Sequence, residues 1–217
     1  MFELIMFDLD GTLTDPKEGI TNCVKYALES FGITEDDEAT LLKFIGPPLY
    51  DSFRGIYNFS HRDAIFAVEK YRERFTDIGI LENSLFPDTV ETLKTLKNVG
   101  KTIALATSKP FEFAERVLKN FEIYDYFDIA VGAEFDGTRG YKDEVINEVL
   151  RRYGKTDLSK VLMVGDREND ILGAKKCKIA SAGVRCGYAE AGELEKAGAD
   201  FIFENLTDLT AFLLENA

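Results

Sequence analysis

Histidine is nearly missing from this 217-residue chain, with His61 the single one, and tryptophan is absent altogether. A histidine-rich metal site is therefore excluded, and any catalysis must rest on other groups. Cysteine is scarce too. Cys23, Cys177 and Cys186 are odd in number and lack the spacing of a metal or redox site; they are expected to stay reduced, in a cytoplasmic protein. Positive charge is in deficit, with 26 Lys and Arg against 39 Asp and Glu, a net charge of −13. Such a surface repels nucleic acid and anionic membrane, so neither is an expected partner. It also repels anionic small molecules at long range, so a site for one must carry local cations. No apolar run approaches the ~20 residues of a membrane span. The N-terminus has no basic leader, and no signal peptide is expected. There is no internal repeat and no low-complexity tract.

Hydrophobic residues make up 45% of the chain, enough for a substantial core. The chain opens on a short apolar run, Phe2 to Phe7, that stops at Asp8-Leu9-Asp10-Gly11-Thr12-Leu13-Thr14-Asp15. A run of that kind bounded by Asp and Gly reads as a strand buried on both faces of a parallel sheet. It delivers two carboxylates, one residue apart, to the strand's C-terminal end, where open parallel sheets bind ligands. Gly11 permits a sharp turn there. Two acids this close either take up a proton or share a cation, and a hard cation such as Mg²⁺ takes oxygen ligands from a few carboxylates, phosphate and water. The plainer reading, a surface turn, suits Asp and Gly in general but not a buried strand followed by Thr12 and Thr14.

From Ile20 to about Ile80 the pattern is helical. Ile20, Cys23, Val24, Ala27, Leu28 and Phe31 recur on one face; Thr34 is a candidate cap for a helix carrying Leu41, Leu42 and Phe44. A rigid turn, Ile45-Gly46-Pro47-Pro48-Leu49, precedes helices expected at Tyr50–Tyr57 and Arg62–Asp77. Some sixty helical residues between two strands exceed a crossover connection, so residues 17–82 read as an inserted, all-helical cap domain. Residues 1–16 with 83–217 then form an α/β core. In this second half strands and helices alternate, with strands at Thr102–Thr107, Ile129–Val131, Val161–Val164, Ile179–Val184 and Phe201–Phe203. Helices are expected at 88–98, 110–120, 141–153, 171–177, 190–197 and 207–214. That alternation predicts a doubly wound parallel sheet.

Three more chemistry-bearing groups follow strands or open helices. Thr107 and Ser108 end the second core strand just before a helix, where hydroxyl and backbone N–H groups make an anion site, although the residues alone favour the plainer reading that Ser108 caps that helix. Lys142 opens a helix, an electrostatically unfavourable place for a lysine, although one solvated lysine among many is the plainer reading. Gly165-Asp166-Arg167-Glu168-Asn169-Asp170 repeats the opening pattern of apolar strand, glycine and acid.

The run from Asp8 to Asp15 resembles the first motif of the haloacid dehalogenase superfamily in its phosphatase form, the dehalogenases themselves lacking the second acid. Thr107 resembles its second motif, Lys142 its third, with Arg139 in the loop before it as the fallback, and Asp166 with Asp170 its fourth. The resemblance spans nearly the whole chain, including the position of the cap. It implies a Rossmann-like core and a Mg²⁺-dependent phosphatase acting on a small phosphate ester. In that scheme Asp8 is the nucleophile that forms an aspartyl-phosphate, and Asp10 is the general acid and base. Asp8, the backbone carbonyl of Asp10, Asp166 and Asp170 hold the metal, and Thr107, Ser108 and Lys142 bind the phosphoryl group. The cap closes over the site, with Gly46-Pro47-Pro48, Arg54, His61 and Arg62 the places to look for leaving-group selection; the Gly-Pro-Pro turn reads equally as a plain helix connection. Phosphoglycolate phosphatases resemble the chain most, with 5′-nucleotidases as the alternative. β-Phosphoglucomutase-like phosphomutases and a non-catalytic phosphate-binding protein are more remote. A monomer or homodimer is expected.

Overall fold

The computed structural model describes residues 1–154 and 157–215. By its internal contacts the chain divides into two compact units, one of Met1–Asp15 with Leu85–Ala217, the other Pro16–Ser84.

The first unit is an α/β layer structure. Its strands are β1 (Leu4–Phe7), β4 (Thr102–Pro110), β5 (Ile129–Ala133), β6 (Val161–Gly165), β7 (Ala180–Val184) and β8 (Phe201–Phe203). Two further two-residue strands, β2 (Thr14–Asp15) and β3 (Ser84–Leu85), pair with each other. The six form one parallel sheet in the order β5-β4-β1-β6-β7-β8. Every residue of β1 and β6 is buried, as expected for central strands that pack helices on both faces. Leu4, Met6, Ala104, Ala106, Val161 and Met163 point to one side and meet Val145, Ile146 and Val149 of the helix Lys142–Tyr153 and Ala174 of the helix Glu168–Lys176. Burial of such side chains is the main favourable term in holding the layers together.

The second unit is helical: α1 (Lys17–Glu29), α2 (Glu38–Leu42), α3 (Leu49–Tyr57) and α4 (His61–Arg74), followed by a π-helical turn at Phe75–Gly79. Its interior is aromatic, with Phe44 against Phe53 at 4.9 Å and Phe31 against Phe59 at 4.5 Å between ring centres. Arg74 makes a two-pronged pair with Glu82 at 2.7 and 2.8 Å and also reaches Cys23.

Several boundaries differ from those read in the sequence. The cap of α2 is Asp37, which accepts from Ala39 N–H, and not Thr34; the acids that favour a helix start are simply one turn later. The helix expected at 62–77 ends at Arg74 because the backbone widens into the π turn. The helix expected from Ile171 begins at Glu168, where the Asp170 carboxylate accepts from the backbone N–H of Arg167. The strand expected to stop at Thr107 runs to Pro110, through an irregularity between Ala106 and Pro110 where the register with β5 shifts.

Candidate active site

The register of the sheet decides which residues meet. Phe7 lies opposite Leu105 on one side and Val164 on the other, so Asp8, Thr107 and Asp166 leave three adjacent strands at the same edge. The Asp8 N–H donates to the Val164 carbonyl at 2.9 Å, extending the ladder one residue. Strand order reverses at β1, and in such sheets the crevice at that reversal, beyond the carboxyl ends, is where ligands bind.

Beyond Asp8 the chain turns through Gly11 at φ +86°. A side chain there would strain the backbone and stand 2.3 Å from an oxygen of Asp166. Asp166 is fully buried; its carboxylate accepts from the Thr12 hydroxyl at 3.2 Å and the Tyr188 N–H at 2.8 Å. The Tyr188 hydroxyl in turn donates to Asp15. Gly165 has a different reason to be glycine: a Cβ there would sit 2.0 Å from the Asp170 carboxyl carbon. The carboxyl of Asp170 folds back over the end of β6, and nothing larger than hydrogen fits between.

Two buried lysines divide the carboxylates. The Lys142 ammonium lies 2.9 Å from Asp8 and 2.8 Å from Asp170 and donates to the Ala106 carbonyl at 3.1 Å. Burial alone would lower a lysine, but the carboxylates of Asp170 and Asp8 raise Lys142 above its ordinary value. Asp170 is pushed up to about 6 by burial, with Lys142 opposing and Asp8 adding to the rise. Asp166 is raised well above its ordinary value by burial and by its neighbours Asp170 and Asp8, the Tyr188 N–H opposing. The second lysine, Lys109, lies 2.6 Å from the other oxygen-bearing partner of the opening motif, Asp10. Its side chain is only 7% exposed and that of Asp10 12%.

Four buried carboxylates thus face two ammonium groups. One oxygen each of Asp8, Asp166 and Asp170 lies within 4.8 Å of the others. The facing oxygens of Asp8 and Asp170 are buried and complete no hydrogen bond of good geometry, although Lys142 stands at contact distance. A hard divalent cation fits this set: it would offset the surplus negative charge and give the two oxygens a partner. The Asp10 carboxylate is not one of the three.

The remaining residues singled out by sequence sit as follows. Thr107 is buried at the end of the regular part of β4, its hydroxyl accepting from the Lys109 N–H at 3.3 Å. Ser108 is half-buried beside it, inside the strand's irregularity and not at a helix cap. Arg139 pairs with Glu134 and donates to the Gly132 carbonyl. Lys109 and Tyr188 carry no signal in the residue pattern, and Thr12 figures there only as part of the opening run. Cys186 lies near Asp166; burial and that carboxylate push its thiol up to about 11, so it stays protonated and is no rival nucleophile.

Residues 5–184 match the family described as haloacid dehalogenase-like hydrolases. The chain belongs to this family. It is a phosphatase of the haloacid dehalogenase type. It is 45% identical over 190 residues to the 5′-nucleotidase of Pseudomonas aeruginosa, covering 88% of this chain and 86% of that one. It is 35% identical over 203 residues to the tyrosine-protein kinase PtkA of Mycobacterium tuberculosis, covering 92% of this chain and 68% of that one. It is 30% identical over 223 residues to the phosphoglycolate phosphatase of Vibrio vulnificus, covering 99% and 97%. Among solved structures, a predicted phosphatase from Clostridium acetobutylicum superposes with a TM-score of 0.95 at 40% identity, covering 99% of both chains.

Proposed function

We propose that the chain is a Mg²⁺-dependent phosphomonoester hydrolase working through an aspartyl-phosphate on Asp8. The observation that carries this reading is the division of one acid pair between two lysines: Asp8 meets Lys142 and the metal-type carboxylates, Asp10 meets Lys109. Adjacent acids with different environments can take different roles. Asp8 attacks phosphorus and displaces the alcohol. Asp10 gives that alcohol its proton, then takes one from the water that releases phosphate. Lys142 and Thr107 bind phosphoryl oxygens, the lysine offsetting the repulsion between an anionic nucleophile and an anionic substrate. Asp8, Asp166, Asp170 and the Asp10 carbonyl would hold Mg²⁺, which when bound supplies further positive charge against the transferring phosphoryl group.

A nucleoside 5′-monophosphate is favoured as substrate over phosphoglycolate, because the relative named for the former activity is 45% identical and the one named for the latter 30%. The test is a panel of nucleotides, phosphoglycolate and sugar phosphates assayed for released phosphate with and without Mg²⁺. Hydrolysis of none of them, with transfer from ATP to a tyrosine peptide instead, would overturn the reading in favour of the activity the mycobacterial relative is named for.

A further inference from the structure

The sequence pattern of the site leaves one buried cation unexplained. Lys109 sits in the irregular part of β4, where the register with β5 shifts between Ala106 and Pro110. Such irregularities re-aim side chains. Here the irregularity is built into the neighbouring strand as well: a Cβ on Gly132 of β5 would stand 2.6 Å from the Lys109 carbonyl and 2.8 Å from Phe111. The Lys109 N–H bonds the Thr107 hydroxyl at 3.3 Å, which fixes the turn of chain between them. The result is an almost buried ammonium 2.6 Å from one carboxylate oxygen of Asp10, while the other oxygen meets the Thr14 hydroxyl at 3.5 Å, the outer limit of a hydrogen bond. Fixing a lysine costs it rotamer freedom, and burying its charge costs more. A chain carrying only 26 basic residues against 39 acidic ones spends this one on an acid three residues beyond the end of β1.

We propose that Lys109 is a positioning residue for Asp10: it holds one oxygen of the carboxyl, and so directs the other to the proton that Asp10 exchanges. This rests on the roles given to Asp8 and Asp10 above and adds to them. In the first half-reaction the proton leaves Asp10 for the alkoxide as the ester P–O bond breaks and the bond from Asp8 to phosphorus forms. In the second, Asp10 takes a proton from water as water oxygen bonds to phosphorus and the bond to Asp8 breaks, releasing inorganic phosphate. Lys109 acts only through its contact with the Asp10 oxygen and is no proton carrier in either step. A carboxyl free to swing loses reach, and misplacement by about 1 Å can cost on the order of a hundredfold.

The experiment compares Lys109→Met, Lys109→Arg, Asp10→Asn and the Lys109→Met/Asp10→Asn pair, each with Mg²⁺, on an alkyl phosphate and on 4-nitrophenyl phosphate, by steady-state and rapid-mixing assay. An aryl leaving group needs little protonation. Lys109→Met is expected to slow the alkyl ester by ten- to a hundredfold, to retain the burst of nitrophenolate, and to slow the turnover after it. Lys109→Arg is expected to restore much of the rate. In the double variant the loss should be no greater than for Asp10→Asn alone, since groups that act as a unit are not additive. Equal loss of the burst and of alkyl turnover, or losses that multiply in the double variant, would overturn the proposal, because Lys109 would then act on substrate or on the fold. If Lys109→Met does not fold, Lys109→Gln, which keeps a donor but not the charge, takes its place with the same outcomes. Turnover by Asp8→Asn, run alongside, would defeat the underlying mechanism; its inactivity with additive Lys109 and Asp10 effects would defeat this inference alone.

Discussion

Asp8 and Asp10 are one residue apart, yet the lysines beside them differ, and that difference is open to direct test. Asp8→Asn is expected to abolish turnover, because an amide cannot form the acyl-phosphate. Asp10→Asn is expected to cost about 10²–10⁴ with alkyl esters, the usual worth of general acid–base help; with an aryl phosphate it should still show a burst and accumulate phosphoenzyme. Trapping of ³²P on the denatured variant checks the second outcome. Asp166 and Asp170 carry a cost as well as a use. Asp170 titrates at about 6 in the fold against an ordinary 3.8. Between those values the folded chain binds more protons than the unfolded one, so without metal this group's contribution to stability falls as pH rises through that window. Asp166 is shifted in the same direction. Hence in chelator at pH 7.5, Asp166→Asn is expected to raise the melting temperature by a few degrees, roughly 2–4 °C for each ~1 kcal/mol relieved in a chain of this size. The same variant should lose the stabilisation that added Mg²⁺ gives the parent. A lower melting temperature for Asp166→Asn in chelator would contradict this account.

Elements with a clean hydrophobic period were legible in the sequence, and the places where the chain departs from regular geometry were not. β1 and β6 are continuous apolar runs, and the parallel α/β sheet follows from their alternation with helices. β4 extends past Thr107 because a register shift, invisible in residue types, carries Ser108 and Lys109 along. The lysine of Ser108-Lys109-Pro110 reads as an ordinary surface residue; only the backbone's re-aiming buries it. Tyr188 contributes a backbone N–H to Asp166, a role that any residue type except proline could fill. Thr12 reads as part of the opening run, but its bond to Asp166 joins residues 154 apart, which no local pattern shows. Gly165 lies at the opposite extreme, since its place before Asp166 was visible but its reason lies in Asp170. Gly165→Ala is expected to displace that carboxylate and weaken Mg²⁺ binding by about 10–100-fold, in the range found when groups that orient metal ligands are altered. Calorimetric titration of the variant with Mg²⁺ measures it, and an unchanged affinity would show that Asp170 is not held by the close fit.

Charge is a property of the molecule entire, and here it opposes the substrate: net −13, with the compensating lysines buried in the core unit. Association with an anionic ester is therefore expected to speed up as salt screens the long-range repulsion, over a Debye length of about 10 Å at 0.1 M. Measured at fixed free Mg²⁺, kcat/KM should rise or hold level between roughly 0.01 and 0.15 M KCl; a steep fall would mean that exposed cations steer the substrate. Among the described residues no helix is long and apolar enough to cross a membrane.

The order of strands in the sheet has a further consequence, for the timing of assembly on the ribosome. Among the described strands β1 comes before the others in the chain, and it lies between β4 and β6. Its partners begin at Thr102 and Val161. At roughly 5–20 residues per second, β6 follows β1 by something like ten to thirty seconds. Throughout that interval a wholly apolar segment waits for its second neighbour, while the contiguous helical stretch Pro16–Ser84 has every residue it needs for its own contacts. Nascent chains halted near residue 150 should accordingly expose Phe2–Phe7 to a hydrophobic-binding chaperone, and chains halted past residue 200 should not.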